Sequence, residues 1–152
     1  MDFAKFDARG KAETGKAFPI LHPETLLPLV EGDKEAKFIV RGNASPSVQA
    51  AHKAALAQAA KNKDDDEEIA TFTFERLHRA TIKSAMLLLV GFENVEIEGV
   101  PVTMETAEQF LNLVFPRMVK DTENGGWKIA NKTFAMQVVE RANELDELLG
   151  NV

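Results

Sequence analysis

The stretch SAMLLLVGFENVEIEGVPVTMETAEQF (residues 84–110) decides the reading of this chain. An apolar run feeds into Gly91-Phe92-Glu93-Asn94-Val95. An alternating segment with an acidic-Gly turn at Glu98-Gly99 follows, and a second apolar face opens after Thr103. Its residue types suit packing and docking rather than a reaction centre. Upstream, Phe74, Leu77, Thr81, Ala85, Leu88 and Phe92 recur every three or four positions, the spacing of one helical face. Ile82, Met86 and Leu89 widen that stripe. The spacing predicts a core helix from about Glu67 to Val90, stopped by Gly91. Val95 and Ile97 alternate with Glu96 and Glu98, as in a half-buried strand. Thr103 is the expected N-cap of a helix running toward Pro116, with Ala107, Phe110, Leu111 and Val114 facing inward.

Working outward from that centre, Met1–Lys16 is charged and contains Gly10 and Gly15, which reads as a flexible N-terminal arm (1–16). Residues 17–152 read as one α+β domain. Within it, AFPIL, LLPLV and AKFIV are short apolar runs separated by turn residues, which predicts an antiparallel β-meander over 17–41. Pro19 and Pro28 lack ladder donors and place their strands at edges, so Ala36–Val40 is the expected inner strand. Residues 45–152 read as mainly helical. Ser45-Pro46 opens an Ala-rich helix to about Lys61, with Ser45 as cap and Pro46 at the first helical position. Its large apolar side chains are essentially Val48 and Leu56, which suits an exposed helix or a very close neighbour. KNKDDDEE (61–68) reads as a solvated loop. Asn124-Gly125-Gly126 breaks the chain. Phe134, Val138, Ala142, Leu145 and Leu149 define the last helix, from about Asn131 to Leu149. The expected fold class is thus α+β, a small antiparallel meander packed on a mainly helical bundle.

Composition narrows function. The net charge of −6 disfavours nucleic-acid binding, which depends on neutralising phosphates. There is no Cys, hence no thiolate metal site and no cysteine nucleophile. The longest apolar run is too short for a bilayer, so no membrane role is expected. The three histidines, His22, His52 and His78, show no one-turn pair that would aim two imidazoles at one ion. His78 borders the core stripe, and the other two read as surface groups. The acids 64–68 lack the alternation and central Gly of a calcium loop. Ser45 and Ser47 sit in no nucleophile elbow. No catalytic, cofactor-binding or metal-ligating residue is therefore nominated, and the chain reads as a non-enzyme. An enzyme with a dispersed site built on the acids and histidines is the weaker alternative.

The order of signatures resembles one family. His22-Pro23 closes the first run, and Phe38-Ile39-Val40-Arg41-Gly42 precedes a Ser-Pro helix. A long helix then meets Val90-Gly91-Phe92-Glu93-Asn94-Val95, followed by Glu96-Ile97-Glu98-Gly99, Val102-Thr103 and a helix over Glu108–Val114. From Phe18 to Pro116 this is similar to the tail assembly chaperones of long-tailed bacteriophages and prophages. Many relatives carry Trp where this chain has Phe92, and residues 117–152 match less well. The resemblance implies a non-enzymatic protein of the host bacterial cytoplasm. Such a protein holds the helical tape-measure protein in solution until the tail tube protein polymerises around it. It also implies that several copies act along one partner, with a homo-oligomer as one form. The candidate partner-binding residues are Phe92, Val95, Ile97, Phe110, Phe115, Met118 and Trp127, although helical stripes of this kind also build cores. A structural neck or tail-completion protein is the alternative within the same setting.

Overall fold

The computed structural model describes residues 2–3, 9–61 and 74–150. The start of the core helix at Glu67 and the charge run at 62–68 fall outside the described residues. The architecture is α+β, as expected: an antiparallel sheet packed with two long helices. Its elements are α1 (Arg9–Thr14), β1 (Lys16–Pro19), β2 (Val30–Glu31), β3 (Lys34–Glu35), β4 (Lys37–Val40), α2 (Pro46–Lys61), α3 (Phe74–Leu88), β5 (Leu89–Glu93), β6 (Glu96–Ile97), β7 (Val100–Pro101), α4 (Ala107–Leu111), β8 (Met118–Lys120), β9 (Trp127–Ile129) and α5 (Phe134–Gly150).

The main sheet has the order β1-β4-β5. β4 is its inner strand, because Phe38 and Val40 point into the core while both ladder edges find partners. Pro19 lies on edge strand β1, where its missing N–H costs no ladder bond. The middle run of the expected meander does not join this sheet. It makes one bridge, Leu21 to Pro28, and then the separate β2–β3 hairpin.

The core helix stops two residues earlier than its spacing predicts. Leu89, Gly91 and Phe92 pair with Val40, Ile39 and Phe38, across a bulge between Ile39 and Val40. An apolar run such as Leu87-Leu88-Leu89-Val90 suits a buried helix or a strand equally. The open edge of β4 decides between them. The buried face of α3 is also rotated: His78, Ile82, Ala85 and Leu88 face inward, while Phe74 is exposed.

Three further expectations are corrected. Residues 9–14 are not a loose arm but a helix with Ala12 buried. The helix after Thr103 is one short turn, α4, whose N-cap is Thr106 and which ends at Asn112 rather than Pro116. Within 45–152, expected to be mainly helical, residues 118–129 around the Asn124-Gly125-Gly126 breaker form the β8–β9 hairpin.

The core is joined by aromatic rings. Phe38 meets Phe92 and Phe110 edge-on at 6.1 Å each, Phe92 meets Phe110 at 5.3 Å, and Phe110 stacks on Phe134 at 4.6 Å. Polar clasps close the rest. The Gln137 amide accepts from the Leu21 N–H at 2.8 Å and donates to its carbonyl at 2.9 Å, tying α5 to the chain after β1. The Asp146 carboxylate receives the Asn43 N–H at 2.9 Å and its side-chain amide at 2.6 Å. Glu13 on α1 accepts from the Ser45 and Ser47 hydroxyls and from the Ser47 N–H, so the expected cap residue Ser45 is shared with a distant carboxylate. Those bonds, with Arg41 nearby, hold the Glu13 carboxyl down to about 2.

Two predictions follow from this packing. Phe38→Ala empties the centre of the ring cluster and lowers unfolding free energy by about 3–5 kcal/mol, read from denaturant midpoints. For Glu13 the folded-state value lies below the ordinary 4.5. Its contribution is therefore complete above that pH and is lost as pH falls toward about 2. Hydrogen-exchange protection of residues 9–14 should fall on acidification through that window, and Glu13→Gln should flatten the change.

Candidate functional site

The seven candidate residues divide between the interior and the surface. Phe110 is buried, and Phe92, Val95 and Ile97 are half-buried against the core. Phe92 is committed to the aromatic cluster by its contacts with Phe38 and Phe110. Met118 is half-buried. Phe115 and Trp127 face out, with 63% and 60% of their surface exposed. Leu113, which the spacing did not single out, is 54% exposed in the same segment as Phe115.

Phe115 is an exposed ring on a pinned backbone. Its carbonyl accepts from the Asn131 amide at 3.0 Å, and the Asn131 side-chain oxygen accepts from the Arg117 N–H at 2.8 Å. Asn131 is itself buried. The Arg117 guanidinium forks onto Glu24, with contacts of 3.1 and 2.8 Å. The segment 115–117 is thus fixed while the Phe115 ring remains accessible.

Trp127 sits on β9, opposite Lys120, and Ile129 sits opposite Met118. Opposed residues of an antiparallel ladder share a face, so Met118, Lys120, Trp127 and Ile129 line one side of the hairpin. Its loop is closed by Asp121, whose carboxylate accepts from the Glu123 and Asn124 N–H groups at 3.1 and 3.0 Å. These bonds hold the Asp121 carboxyl below the usual range. Gly125 and Gly126 both stand at φ +75°, a conformation that side-chain-bearing residues rarely adopt.

Behind Phe115 lies His78, whose ring is 5.0 Å away. His78 is 97% buried by its 3% exposure, and neither ring nitrogen has a hydrogen-bond partner. Burial pushes its pKa down, and the neighbouring Asn112 opposes that only in part. His22 and His52 are exposed, as expected. The His22 Nδ1 accepts from the Glu24 and Thr25 N–H groups, a local turn cap. Among the described residues, no group of three or more His, Asp or Glu side chains is arranged to hold a metal ion, and no helix is long and apolar enough to cross a membrane.

A second feature was not visible in the sequence. A cleft of about 840 Å³ opens between the β2–β3 hairpin and the turn over 94–99. Ile20, Leu29, Phe110 and Phe134 form its apolar floor, and Val95 lines it. Glu31, Asp33, Lys34 and Glu96 stand around it. Asn94 donates to the Glu35 carbonyl at 3.0 Å and joins the two walls. The wall at 98–99 is a two-residue turn with φ of 51° and 80°, the primed geometry that matches strand twist. Val95 and Phe110, nominated for docking, thus meet at one depression, with Phe110 as floor rather than exposed contact. Only the placement of two short hairpins side by side creates the cleft, and no local pattern encodes that.

Comparison with known proteins returned no match: no family model, no curated protein and no solved structure is similar to this chain at a significant level.

The buried imidazole generates a prediction. The folded-state pKa of His78 lies below the ordinary 6.5, so the unfolded chain binds the proton first as pH falls. Stability contributed at this position is complete above that value and declines on acidification below it. His78→Leu should lessen the loss of urea midpoint between pH 7.5 and 5.5; an unchanged pH slope would contradict the assignment.

Proposed function

We propose that this chain is a non-enzymatic tail assembly chaperone that binds a phage tape-measure protein and keeps it soluble in the host bacterial cytoplasm until the tail tube protein polymerises. The observation that carries the reading is the outward presentation of Phe115 and Trp127, with Leu113, on an acidic chain. Aromatic side chains held out on fixed backbone are what a protein uses to cover another chain's apolar surface at low entropic cost. The net charge of −6 keeps such a protein dispersed while it does so. The resemblance over Phe18–Pro116 supplies the setting: a long helical client that aggregates unless its apolar stripe is covered. A chaperone of this kind binds through several modest contacts, so that the polymerising tube can displace it.

Co-expression with the tape-measure protein tests the reading. The client should move into the soluble fraction and co-purify with this chain. Phe115→Ala combined with Trp127→Ala should weaken the pair by about 2 kcal/mol or more, roughly thirtyfold in Kd. The protein should be absent from purified particles by mass spectrometry. Its presence there would favour a neck or tail-completion subunit instead. A client whose solubility is unchanged would remove the proposal.

A further inference from the structure

His78 is buried on α3 with neither ring nitrogen hydrogen-bonded. An apolar side chain of similar size would pack there without leaving two polar atoms unpaired, so the imidazole is held at a cost to stability. Ile82, Ala85 and Leu88 complete the same buried face with apolar atoms alone. What an imidazole adds at such a place is a charge that one proton switches on near neutral pH.

The way from solvent to that charge runs past Phe115. The two ring centroids are 5.0 Å apart with the planes tilted by 51°. Phe115 is also largely exposed, so its ring lies against the imidazole and meets water as well. The backbone on either side is held by Asn131, at the Phe115 carbonyl and the Arg117 N–H. The side chain, not the backbone, is therefore the part that can move, and exposed side chains change rotamer readily. Burial and the Asn112 amide are the influences on His78. The charges on its own helix, Glu75, Arg79 and Lys83, supply none. Nor does Glu108 of α4, nor Arg117, which engages Glu24. On α5, Glu140 pairs with Lys132 and Arg141 with Glu144.

We propose that Phe115 is a hinged lid over His78: protonation charges the imidazole, and the ring swings aside to let water solvate it. An imidazolium carries two N–H donors, and no acceptor bonds either nitrogen where His78 sits. The seated ring thus belongs with the neutral imidazole and the displaced ring with the charged one, a two-state element biased by a proton. As regulation of the docking surface, the lid rests on the proposed function. A displaced Phe115 no longer meets the client in its fixed position, so acid releases the client. One proton taken up per release raises Kd at most about tenfold per pH unit.

Proton NMR titration of the three histidines in the full chain tests the lid without any client. His22 and His52 are exposed and serve as internal references. His78 should titrate below the ordinary 6.5 while circular dichroism shows the fold retained. Phe115→Ala should move its midpoint up toward the references, and Phe115→Leu, which refills the place, should bring it down again. Once charged, His78 in the unaltered chain should lose the ring-current shift from Phe115 and match the Phe115→Ala variant. One midpoint for all three chains, a charged His78 that keeps its ring-current shift, or charging that occurs only as the whole chain unfolds would each overturn the lid. With the tape-measure protein, Kd should rise between pH 7.5 and 5.5, and rise less for His78→Leu. An equal rise in that variant would overturn the regulatory role. A chain that binds no client would remove the chaperone reading and leave the lid to the titration.

Discussion

The contact of Phe92 with Phe38 and Phe110 is the constraint on which the rest of the molecule depends. Phe38 belongs to β4, Phe92 to β5, Phe110 to α4 and Phe134 to α5, so one chain of rings joins the sheet to α4 and α5. Edge-on and offset ring pairs add about 0.5–1.5 kcal/mol each beyond the area they bury. With ten Phe and no Tyr, the chain fills this centre without bringing in hydroxyls that need partners. The cluster also explains the early end of α3. Docking Phe92 against Phe38 requires Leu89–Glu93 to be extended beside β4. The strand then delivers the 94–99 turn next to the β2–β3 hairpin, and the cleft is the space left between them.

The same packing sorts the apolar residues into two roles. Rings that hold the fold together face one another. Phe115 and Trp127 remain outside, on backbone secured by Asn131, Arg117 and the Asp121 loop. Such anchors lose little freedom on binding, because the ordering cost was met during folding. The exposed aromatic residues and the core are thus different parts of one scaffold. Under the proposed function, substitutions at Phe115 or Trp127 would separate binding from stability, whereas substitutions at Phe92 or Phe110, which pack in the ring cluster, would not.

Much of the fold is legible in the sequence because it rests on periodicity. The spacing of Phe134, Val138, Ala142 and Leu145 locates α5, and Ser45-Pro46 locates the start of α2. Pro19 places β1 at an edge, leaving β4 inside. What sequence reasoning missed depends on contacts between distant segments. Glu13 orders α1 by bonding Ser45 and Ser47, more than thirty residues away, and nothing local in RGKAET announces that. Leu89-Val90 continues a helical pattern until the free edge of β4 claims it. The β8–β9 hairpin hides because its strands are three residues each and its glycines read only as an interruption. The seven residues nominated for partner binding divide between surface and interior. The sequence could not divide exposed Phe115 and Trp127 from buried Phe110, because all three occur at spacings compatible with a core.

Trp127 is the only tryptophan in the chain, which gives the central claim a direct probe. The protein labelled with 5-fluorotryptophan should give one fluorine resonance that shifts between H₂O and D₂O, as an exposed ring does. On titration with unlabelled tape-measure protein, that resonance should move and lose its solvent sensitivity. A resonance that keeps its position and solvent sensitivity at saturating client would show that this surface covers nothing, and would contradict the account.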